Sequence, residues 1–205
     1  MRLLIATHNR GKLIEYQEMF ADLPFDLVKL DDVGIGDDVA ETGATFAENA
    51  RAKAEAYARQ SGLLTLADDS GLEVDALGGE PGVRSKRYAG ATKSDAERIA
   101  FLLDKLRNVP ASKRVARFQC AIALATPDGK LWETAGACEG EIALEPRGEN
   151  GFGYDPIFQV AARGARMAEL STAEKNKVSH RARAAEKARK ILEKMVARES
   201  VQSKK

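Results

Sequence analysis

Two adjacent carboxylates are the first feature of the sequence that could do chemistry. Asp68 and Asp69 follow the apolar run Leu63–Ala67 and precede Ser70. Adjacent acids repel each other, so the pair is costly unless it shares a cation or another positive group. A hard cation such as Mg²⁺ meets that need, because proteins hold it through one or two carboxylates together with phosphate oxygens. We therefore expect the pair at the carboxyl end of a strand, where α/β proteins place ligands; an Asx-rich turn is the alternative.

A second polar segment lies between the first predicted strand and the first predicted helix, and it consists of Thr7, His8, Asn9, Arg10, Gly11 and Lys12. A strand-to-helix turn offers backbone N–H groups and the positive end of the helix dipole to a phosphate. Thr7 and Asn9 add neutral donors, and Lys12 adds a positive charge. The G-x-x-x-x-G-K-S/T spacing of a P-loop is absent. The segment is either a phosphate-binding turn of another kind or an ordinary polar turn.

A glycine-rich segment, Gly148–Phe158, combines three glycines with the aromatic residues Phe152, Tyr154 and Phe158. Glycine allows the backbone to come close to a ligand, and aromatic faces can stack on a nucleic-acid base. The alternative is a glycine-rich hairpin whose aromatic side chains fill the core.

Basic residues form the remaining candidates. Lys53 follows Asn49 by one helical turn, so both lie on one face of a predicted helix; a surface lysine is the default. Lys175, His180 and Arg181 flank predicted helix starts, where an anion or a purine edge could be held. Residues 175–205 contain 11 Lys and Arg against 3 Glu, and a solvated basic helix face is the usual explanation for such a surplus.

The elements that position these residues are predicted from caps and apolar periodicity. Thr45, Ser94 and Ser171 each precede a Glu by three residues, which is the spacing of a capping box at a helix start. The predicted helices run through Leu13, Tyr16 and Phe20, from Phe46 towards Ser61 with Gly62 as the terminating residue, from Asp95 to Leu106, and from Ser171 to about Arg198 with a break near Ser179. The predicted strands are Leu3–Ala6, Phe25–Leu30, Leu63–Ala67, Arg114–Ala125, Leu131–Cys138 and Glu139–Leu144, with a hairpin turn at Thr126–Gly129. This alternation predicts an α/β protein with a mixed sheet, parallel early and antiparallel later.

Composition limits the classes of function. The chain has 205 residues, 44% of them hydrophobic, and a formal net charge of +1. One domain, or one domain with two lobes, fits this length. The near-neutral charge provides no global attraction for nucleic acid. The N-terminal segment is predicted to be a strand rather than a signal peptide, and no apolar run approaches the ~20 residues that a membrane span needs, so we expect a cytoplasmic protein. Cys120 and Cys138 lack CxxC spacing and are expected to be reduced, buried thiols.

Six motifs together resemble the inosine/xanthosine triphosphate pyrophosphatase family. They occur in the family's order as T-x-N-x-x-K from Thr7, E-T-G-x-T-F-x-E-N-A-x-x-K-A from Glu41, A-D-D-S-G-L from Ala67, L-G-G-x-P-G-x-x-S-x-R-Y from Leu77, G-F-G-Y-D-P-I-F from Gly151, and E-K-x-x-x-S-H-R from Glu174. Any one of them is only suggestive, but six in sequence are highly specific. The residues after Arg198 lie outside the resemblance.

The resemblance implies an α/β fold with an elongated mixed β-sheet, flanking helices and two lobes around a nucleotide-binding cleft. It implies a single domain over residues 1–198 and a homodimer. Residues 199–205, outside the resemblance, are expected to form a disordered tail. The implied activity is Mg²⁺-dependent hydrolysis of non-standard purine nucleotides (ITP, XTP and their deoxy forms) to the monophosphate and pyrophosphate, which keeps them out of DNA and RNA.

The resemblance also implies roles for residues at matching positions. Asp69 would be the proton acceptor and a metal ligand, with Glu41 and Asp68 in the metal environment. The triphosphate would be bound by Thr7, His8, Asn9, Arg10, Gly11, Lys12, Lys53 and Ser70, although His8 and Arg10 occupy variable positions of their motif. The base and sugar would be bound by Phe152, Gly153, Tyr154, Asp155, Lys175, His180 and Arg181.

Two other functions remain open from the sequence. One is a related pyrophosphatase acting on pyrimidine or modified nucleotides, such as the Maf-like proteins. The other is a nucleotide- or RNA-binding module that uses the basic C-terminal helix; the near-neutral total charge and the absence of an RRM or KH motif argue against it.

Overall fold

A computed structural model describes the backbone of residues 1–202 and the side chains of residues 1–198. The helices are α1 (Arg10–Met19), α2 (Phe46–Ser61), α3 (Asp95–Lys105), α4 (Thr172–Val178) and α5 (His180–Gln202). The strands are β1 (Arg2–Ile5), β2 (Asp26–Lys29), β3 (Leu64–Val74), β4 (Val115–Ala125), β5 (Leu131–Ile142) and β6 (Phe158–Val160).

The six strands form one sheet in the order β2-β1-β3-β4-β5-β6. Strand β1 pairs in parallel with both β2 and β3, with Leu3 opposite Leu27 and Leu64. Strand β5 pairs antiparallel with β6. The turn at Thr126–Gly129 connects the neighbouring strands β4 and β5, and so short a connection excludes a parallel crossover. The predicted mixed α/β fold, parallel early and antiparallel later, is confirmed.

The helix starts are as the capping pattern predicts. The side chains of Thr45, Ser94 and Ser171 each accept a hydrogen bond from the backbone N–H of the Glu three residues later, and each Glu side chain accepts one from the backbone N–H of the cap residue. Helix α2 ends at Gly62, whose φ of 69° is the left-handed conformation that glycine adopts without strain. The break at Ser179 separates α4 from α5.

Three predicted boundaries are wrong. Strand β3 does not end at Ala67 but continues to Val74, so Asp68 and Asp69 lie inside a strand rather than after one. The predicted strands on either side of Cys138 are one continuous strand, β5. Strand β6 begins at Phe158, where the sequence predicts only the end of a loop. Polar and glycine residues interrupt the apolar pattern within β3 and β5, but pairing with neighbouring strands overrides that local preference.

Helix α5 also extends beyond its predicted end at about Arg198, to Gln202. The rest of the predicted disordered tail, residues 203–205, lies outside the described residues.

The chain divides into two compact units. Unit 1 contains residues 1–69, 120–136 and 182–205, and unit 2 contains residues 70–119 and 137–181. The core of unit 1 is built from β1, α1, β3, β4 and α5, with Tyr16 and Phe20 fully buried. The core of unit 2 includes Leu72, Leu102 and Phe158, which are also fully buried.

Both cysteines are buried thiols, as predicted. Within residues 1–202, no helix combines the length and the apolar composition needed to cross a membrane.

Candidate active site

The two acids of β3 are buried in the interior of unit 1. Asp68 is 1% exposed and Asp69 is 5% exposed. Successive side chains of a strand point to opposite faces, and the two carboxylates accordingly have different partners. Lys12 Nζ lies 2.9 Å from Asp68 Oδ2, and Cys120 Sγ lies 3.7 Å from the same oxygen. Asn49 Nδ2 donates to Asp69 Oδ2 at 2.8 Å. Side chains from α1, α2 and β4 thus stabilise two charges that a strand alone could not hold.

The turn before α1 has the geometry of a capped helix start. The side chain of Asn9 accepts a hydrogen bond from the backbone N–H of Lys12 at 3.0 Å, and Thr7 Oγ1 accepts from the N–H of Asn9 at 3.2 Å. His8 Nε2 lies 3.6 Å from the exposed Asp38 carboxylate, and Arg10 is exposed. The cap directs the first turn of α1, and with it Lys12, towards β3.

Helix α2 brings Lys53 to the acids. Lys53 Nζ lies 2.6 Å from Glu41 Oε1, and the lysine side chain is only 12% exposed. Asn49 and Lys53 lie on one face of α2, as their spacing predicts, and both reach acids of this site. The default explanation of Lys53 as a surface lysine is therefore wrong.

The ionisable groups of this site shift one another's pKa values. Burial works to lower the pKa of Lys53, but the nearby carboxylates of Asp68, Glu41 and Asp69 outweigh it, and the pKa is raised. The pKa of Asp69 is also raised, chiefly because its carboxylate is buried; Lys53 and the hydrogen bond from Asn49 oppose that shift. A buried carboxylate with a raised pKa is a better proton acceptor than an ordinary aspartate.

We call the three carboxylates and two ammonium groups the acid–lysine cluster; its members are Glu41, Asp68, Asp69, Lys12 and Lys53. Three negative charges against two positive ones leave an excess of negative charge, carried by hard oxygen donors of the kind that Mg²⁺ prefers. These oxygen donors are of the type that a magnesium ion takes, but within the part of the chain that the structure describes no three His, Cys, Asp or Glu side chains lie close enough together to form a metal site.

A second group of predicted site residues lies in unit 2, around a buried ion pair. Lys175 Nζ lies 2.6 Å from Asp155 Oδ2, and both side chains are 4% exposed. The same carboxylate oxygen accepts a hydrogen bond from the N–H of Phe152 at 3.0 Å. Gly151 has φ +76°, and a Cβ there would lie 2.1 Å from Asp155 Oδ2. Only glycine allows the loop to pass this close to the carboxylate.

Cations surround the ring of Phe152. Lys175 Nζ lies 4.6 Å from the ring centroid and the guanidinium carbon of Arg181 lies 5.6 Å from it, both within cation–π range. Arg181 also donates to Ser70 Oγ at 2.9 Å. The imidazole of His180 stacks on Phe118, with ring centroids 4.8 Å apart and an interplanar angle of 16°. Lys175 and Arg181 thus lie around the aromatic loop at Phe152, whereas His180 packs on Phe118 of β4.

The three aromatic residues of that loop have different environments. Tyr154 and Phe158 pack in the hydrophobic core of unit 2, and Tyr154 donates its hydroxyl to the carbonyl of Ser85 at 3.1 Å. For these two side chains, the alternative that they fill the core is the one observed. Phe152 is partly exposed, and it is the aromatic face of the loop that could meet a base. The N–H of Gly153 donates to Asp95 Oδ2 at 2.7 Å, which anchors the loop to the start of α3.

The predicted site residues therefore form two groups, each within one unit. The group in unit 1 contains Thr7, His8, Asn9, Arg10, Gly11, Lys12, Glu41, Lys53, Asp68 and Asp69. The group in unit 2 contains Ser70, Phe152, Gly153, Tyr154, Asp155, Lys175, His180 and Arg181.

Sequence reasoning missed two residues that contact the buried acids. It identifies Cys120 only as a buried thiol, and Asn49 only as a neighbour of Lys53. One signal could have identified Asn49: it lies on an Ala-rich apolar face of α2, and a buried amide requires hydrogen-bonding partners. Cys120 carries no comparable signal, because a buried thiol packs as a small apolar side chain.

Known proteins similar to this chain share one family. The sequence profile of the Ham1 family matches residues 3–191. A dITP/XTP pyrophosphatase of Geobacillus kaustophilus is 53% identical over 182 residues, which is 89% of each chain. A dITP/XTP pyrophosphatase of Bacillus subtilis is 48% identical over 190 residues, or 93% of this chain and 96% of that protein.

A solved structure agrees with the fold. The structure of a HAM1 protein from Coxiella burnetii matches with a TM-score of 0.86 and 45% sequence identity, covering 95% of this chain and 99% of that one. The family resemblance seen in the six motifs is thereby confirmed. On its sequence and its fold, the chain belongs to the Ham1 family.

Proposed function

We propose that the protein is a nucleoside triphosphate pyrophosphatase that hydrolyses non-standard purine nucleotides to the monophosphate and pyrophosphate. The observation that carries the proposal is the acid–lysine cluster, in which a buried Asp69 with a raised pKa lies among two lysines and two further acids. Attack of water at a phosphorus of a triphosphate needs a base and positive charge for the leaving group, and this cluster contains both. Relatives named dITP/XTP pyrophosphatase support the same activity.

In the proposed reaction, Asp69 accepts the proton of a water molecule that attacks the α-phosphorus. The oxygen of that water forms a bond to phosphorus, the bond to the bridging oxygen of the β-phosphate breaks, and pyrophosphate leaves. The hydrogen bond from Asn49 to Asp69 Oδ2 holds the carboxylate in one orientation, which limits the positions from which it can take the proton.

Magnesium is the cofactor in this proposal, with Asp69, Glu41 and Asp68 as its candidate ligands. Bound there, the ion would neutralise negative charge on the phosphate oxygens. Lys12 and Lys53 offset the charge that develops on the departing pyrophosphate, which is electrostatic stabilisation of the transition state. Thr7 to Lys12, at the start of α1, present the backbone N–H groups and positive helix end that favour a phosphate.

For the base, we propose recognition by the group in unit 2. Lys175 and Arg181 carry only hydrogen-bond donors, and donors match the oxygen at position 6 of hypoxanthine and xanthine but not the amino group of adenine. A site whose donors are left without an acceptor rejects the wrong base strongly. This chemistry supports preference for ITP, XTP and their deoxy forms over ATP, with Phe152 as the stacking surface.

Assembly and location are part of the same proposal. Membership of the family supports a homodimer that acts in the cytoplasm, where nucleoside triphosphates are made and used. Light scattering on the purified chain tests the first point; a mass equal to that of one chain at micromolar concentration contradicts the dimer.

The deciding experiment is a nucleotide panel with Mg²⁺ that scores both pyrophosphate and orthophosphate. We expect pyrophosphate from dITP and XTP and little product from ATP. Release of orthophosphate alone would place cleavage at the terminal phosphate and refute the proposal. Faster turnover of dTTP or UTP than of dITP would instead favour the pyrimidine-directed alternative, and strong salt-dependent RNA binding without turnover would favour the binding module.

A further inference from the structure

We infer that Asn49 is a positioning residue for the reaction: it orients Asp69 and anchors the loop that carries Glu41. The inference rests on the proposed function, because it assigns Asn49 to the base and to one candidate metal ligand of that reaction. Asn49 is 1% exposed.

Both ends of the Asn49 amide are used. Nδ2 donates to Asp69 Oδ2 at 2.8 Å, and Oδ1 accepts from the backbone N–H of Gly43 at 2.8 Å. A carboxylate offers only acceptors and a backbone N–H only a donor, so the amide has one orientation that satisfies both. A side chain held at both ends keeps a single rotamer, and Asp69 Oδ2 is fixed with it.

The loop on the other side of Asn49 is held on both sides of Glu41. Gly43 bonds to Asn49, while the hydroxyl of Tyr57 accepts from the N–H of Val39 and donates to the carbonyl of Asp37, each at 3.1 Å. A Cβ at Gly43 would lie 2.7 Å from Asn49 Oδ1, so the backbone approaches the amide as closely as glycine allows. Two bonds to Tyr57 before Glu41 and one to Asn49 after it restrict where the Glu41 carboxylate can go.

The contacts with Glu41 and with the loop on either side of it are made by residues of one face of α2. Asn49, Lys53 and Tyr57 are spaced by four residues, so they lie one turn apart on the same helix face. Asn49 contacts the loop after Glu41, Lys53 contacts Glu41 itself, and Tyr57 contacts the loop before it. Asn49 contacts both the loop, at Gly43, and Asp69. It therefore couples the position of Glu41 to that of Asp69.

The experiment compares Asn49→Ala with the matched control Gln119→Ala. Gln119 Nε2 also donates to a carboxylate, that of Glu73 at 2.6 Å, but neither residue belongs to the proposed site. For Asn49→Ala we expect kcat with dITP to fall on the order of 10²-fold, the loss that a misplaced reacting group typically causes, with KM for the nucleotide little changed. We also expect Mg²⁺ to raise the melting temperature of the nucleotide-free variant less than it raises that of the wild type. Gln119→Ala should match the wild type in both measurements.

A second variant separates the two bonds of the amide. Asn49→Asp keeps the shape and an acceptor for the Gly43 N–H but replaces the donor to Asp69 with another acceptor. We expect it to lose kcat at least as much as Asn49→Ala does, because it lacks the donor to Asp69 and places a second carboxylate beside it; wild-type kcat in Asn49→Asp would overturn the inference.

The outcomes are distinguishable from failure of the proposed function. An inactive wild-type chain would overturn both proposals. An active wild type with Asn49 variants that are folded and equally active would overturn this inference alone. The inference also fails if Asn49→Ala lowers the melting temperature equally with and without Mg²⁺ while kcat stays at the wild-type value, because Asn49 would then be only a stabilising residue.

Discussion

Replacing Lys53 with methionine is the perturbation that bears most directly on the acid–lysine cluster. Met has a similar length and packs in apolar surroundings, so the change removes the charge while retaining most of the buried stem. Lys53 Nζ lies 2.6 Å from Glu41 and its side chain is 12% exposed. The variant leaves three carboxylates with Lys12 as their partner within the cluster.

The expected magnitude follows from the removal of one positive charge near several carboxylates. Two unit charges about 4 Å apart interact by about 4 kcal/mol at an effective dielectric of about 20. Removing one electrostatic group that stabilises a transition state typically costs about 10²–10³ in kcat, or about 2.7–4 kcal/mol. We therefore expect kcat of Lys53→Met to fall on the order of 10²–10³-fold at saturating nucleotide and Mg²⁺.

The same variant should change the pH dependence of the rate. Burial raises the pKa of Asp69, and Lys53 is the largest influence that opposes this rise. Without Lys53 the pKa of Asp69 rises further, and because the ionised form is the base, activity is lost at a higher pH as the solution is acidified. The acidic limb of kcat against pH should move to higher pH.

The assay measures pyrophosphate release from dITP between pH 5 and pH 9, with Arg51→Met as the control. Arg51 lies two residues before Lys53 on α2, but it is exposed and pairs with Glu133 at 2.8 Å. An exposed pair contributes about 1 kcal/mol or less, so the control should keep the wild-type rate and pH profile. If Lys53→Met and Arg51→Met gave the same rate, the electrostatic role of Lys53 would be refuted.

Three further predictions concern the base, the metal and the buried ion pair. Asp69→Asn should abolish turnover while calorimetry still detects nucleotide binding, and near-normal turnover would remove Asp69 from the base role. EDTA should stop hydrolysis and added Mg²⁺ should restore it; full activity in a verified metal-free assay would refute the cation argument. Lys175→Met should destabilise the protein by about 3–5 kcal/mol in denaturant unfolding, because it leaves the buried Asp155 carboxylate without its ammonium partner. Lys190→Met, which removes an exposed pair with Glu186, should cost about 1 kcal/mol or less, and equal losses for the two variants would contradict the buried-pair argument.

The helix boundaries could be predicted from the sequence because the interactions that make them are local. Thr45, Ser94 and Ser171 cap their helices through bonds to a residue three positions away. The end of α2 depends on a single residue, Gly62, which adopts a positive φ. Each of these helix boundaries is set by a few consecutive residues and does not depend on the rest of the chain.

The surroundings of Asp68 and Asp69 could not be predicted in the same way. Aspartate, serine and glycine are poor strand formers and good turn formers, so local preference predicts that the strand ends at Ala67. Instead β3 continues to Val74, past the Leu64–Leu66 segment that pairs with β1, and its pairing with the neighbouring strand β4 outweighs local preference. Burial of the two acids is tolerated because Lys12 and Asn49 reach them.

The chemical groups that the protein carries, the order of its motifs and most of its helix ends can be read from the amino-acid sequence. Which of those groups meet depends on the folded chain: Lys12 with Asp68, Asn49 with Asp69, and Lys53 with Glu41. The difference comes from the distance along the chain over which the interactions act. Capping and turn formation act within a few residues, whereas these contacts join separate elements and exist only once sheet pairing and helix packing have brought those elements together.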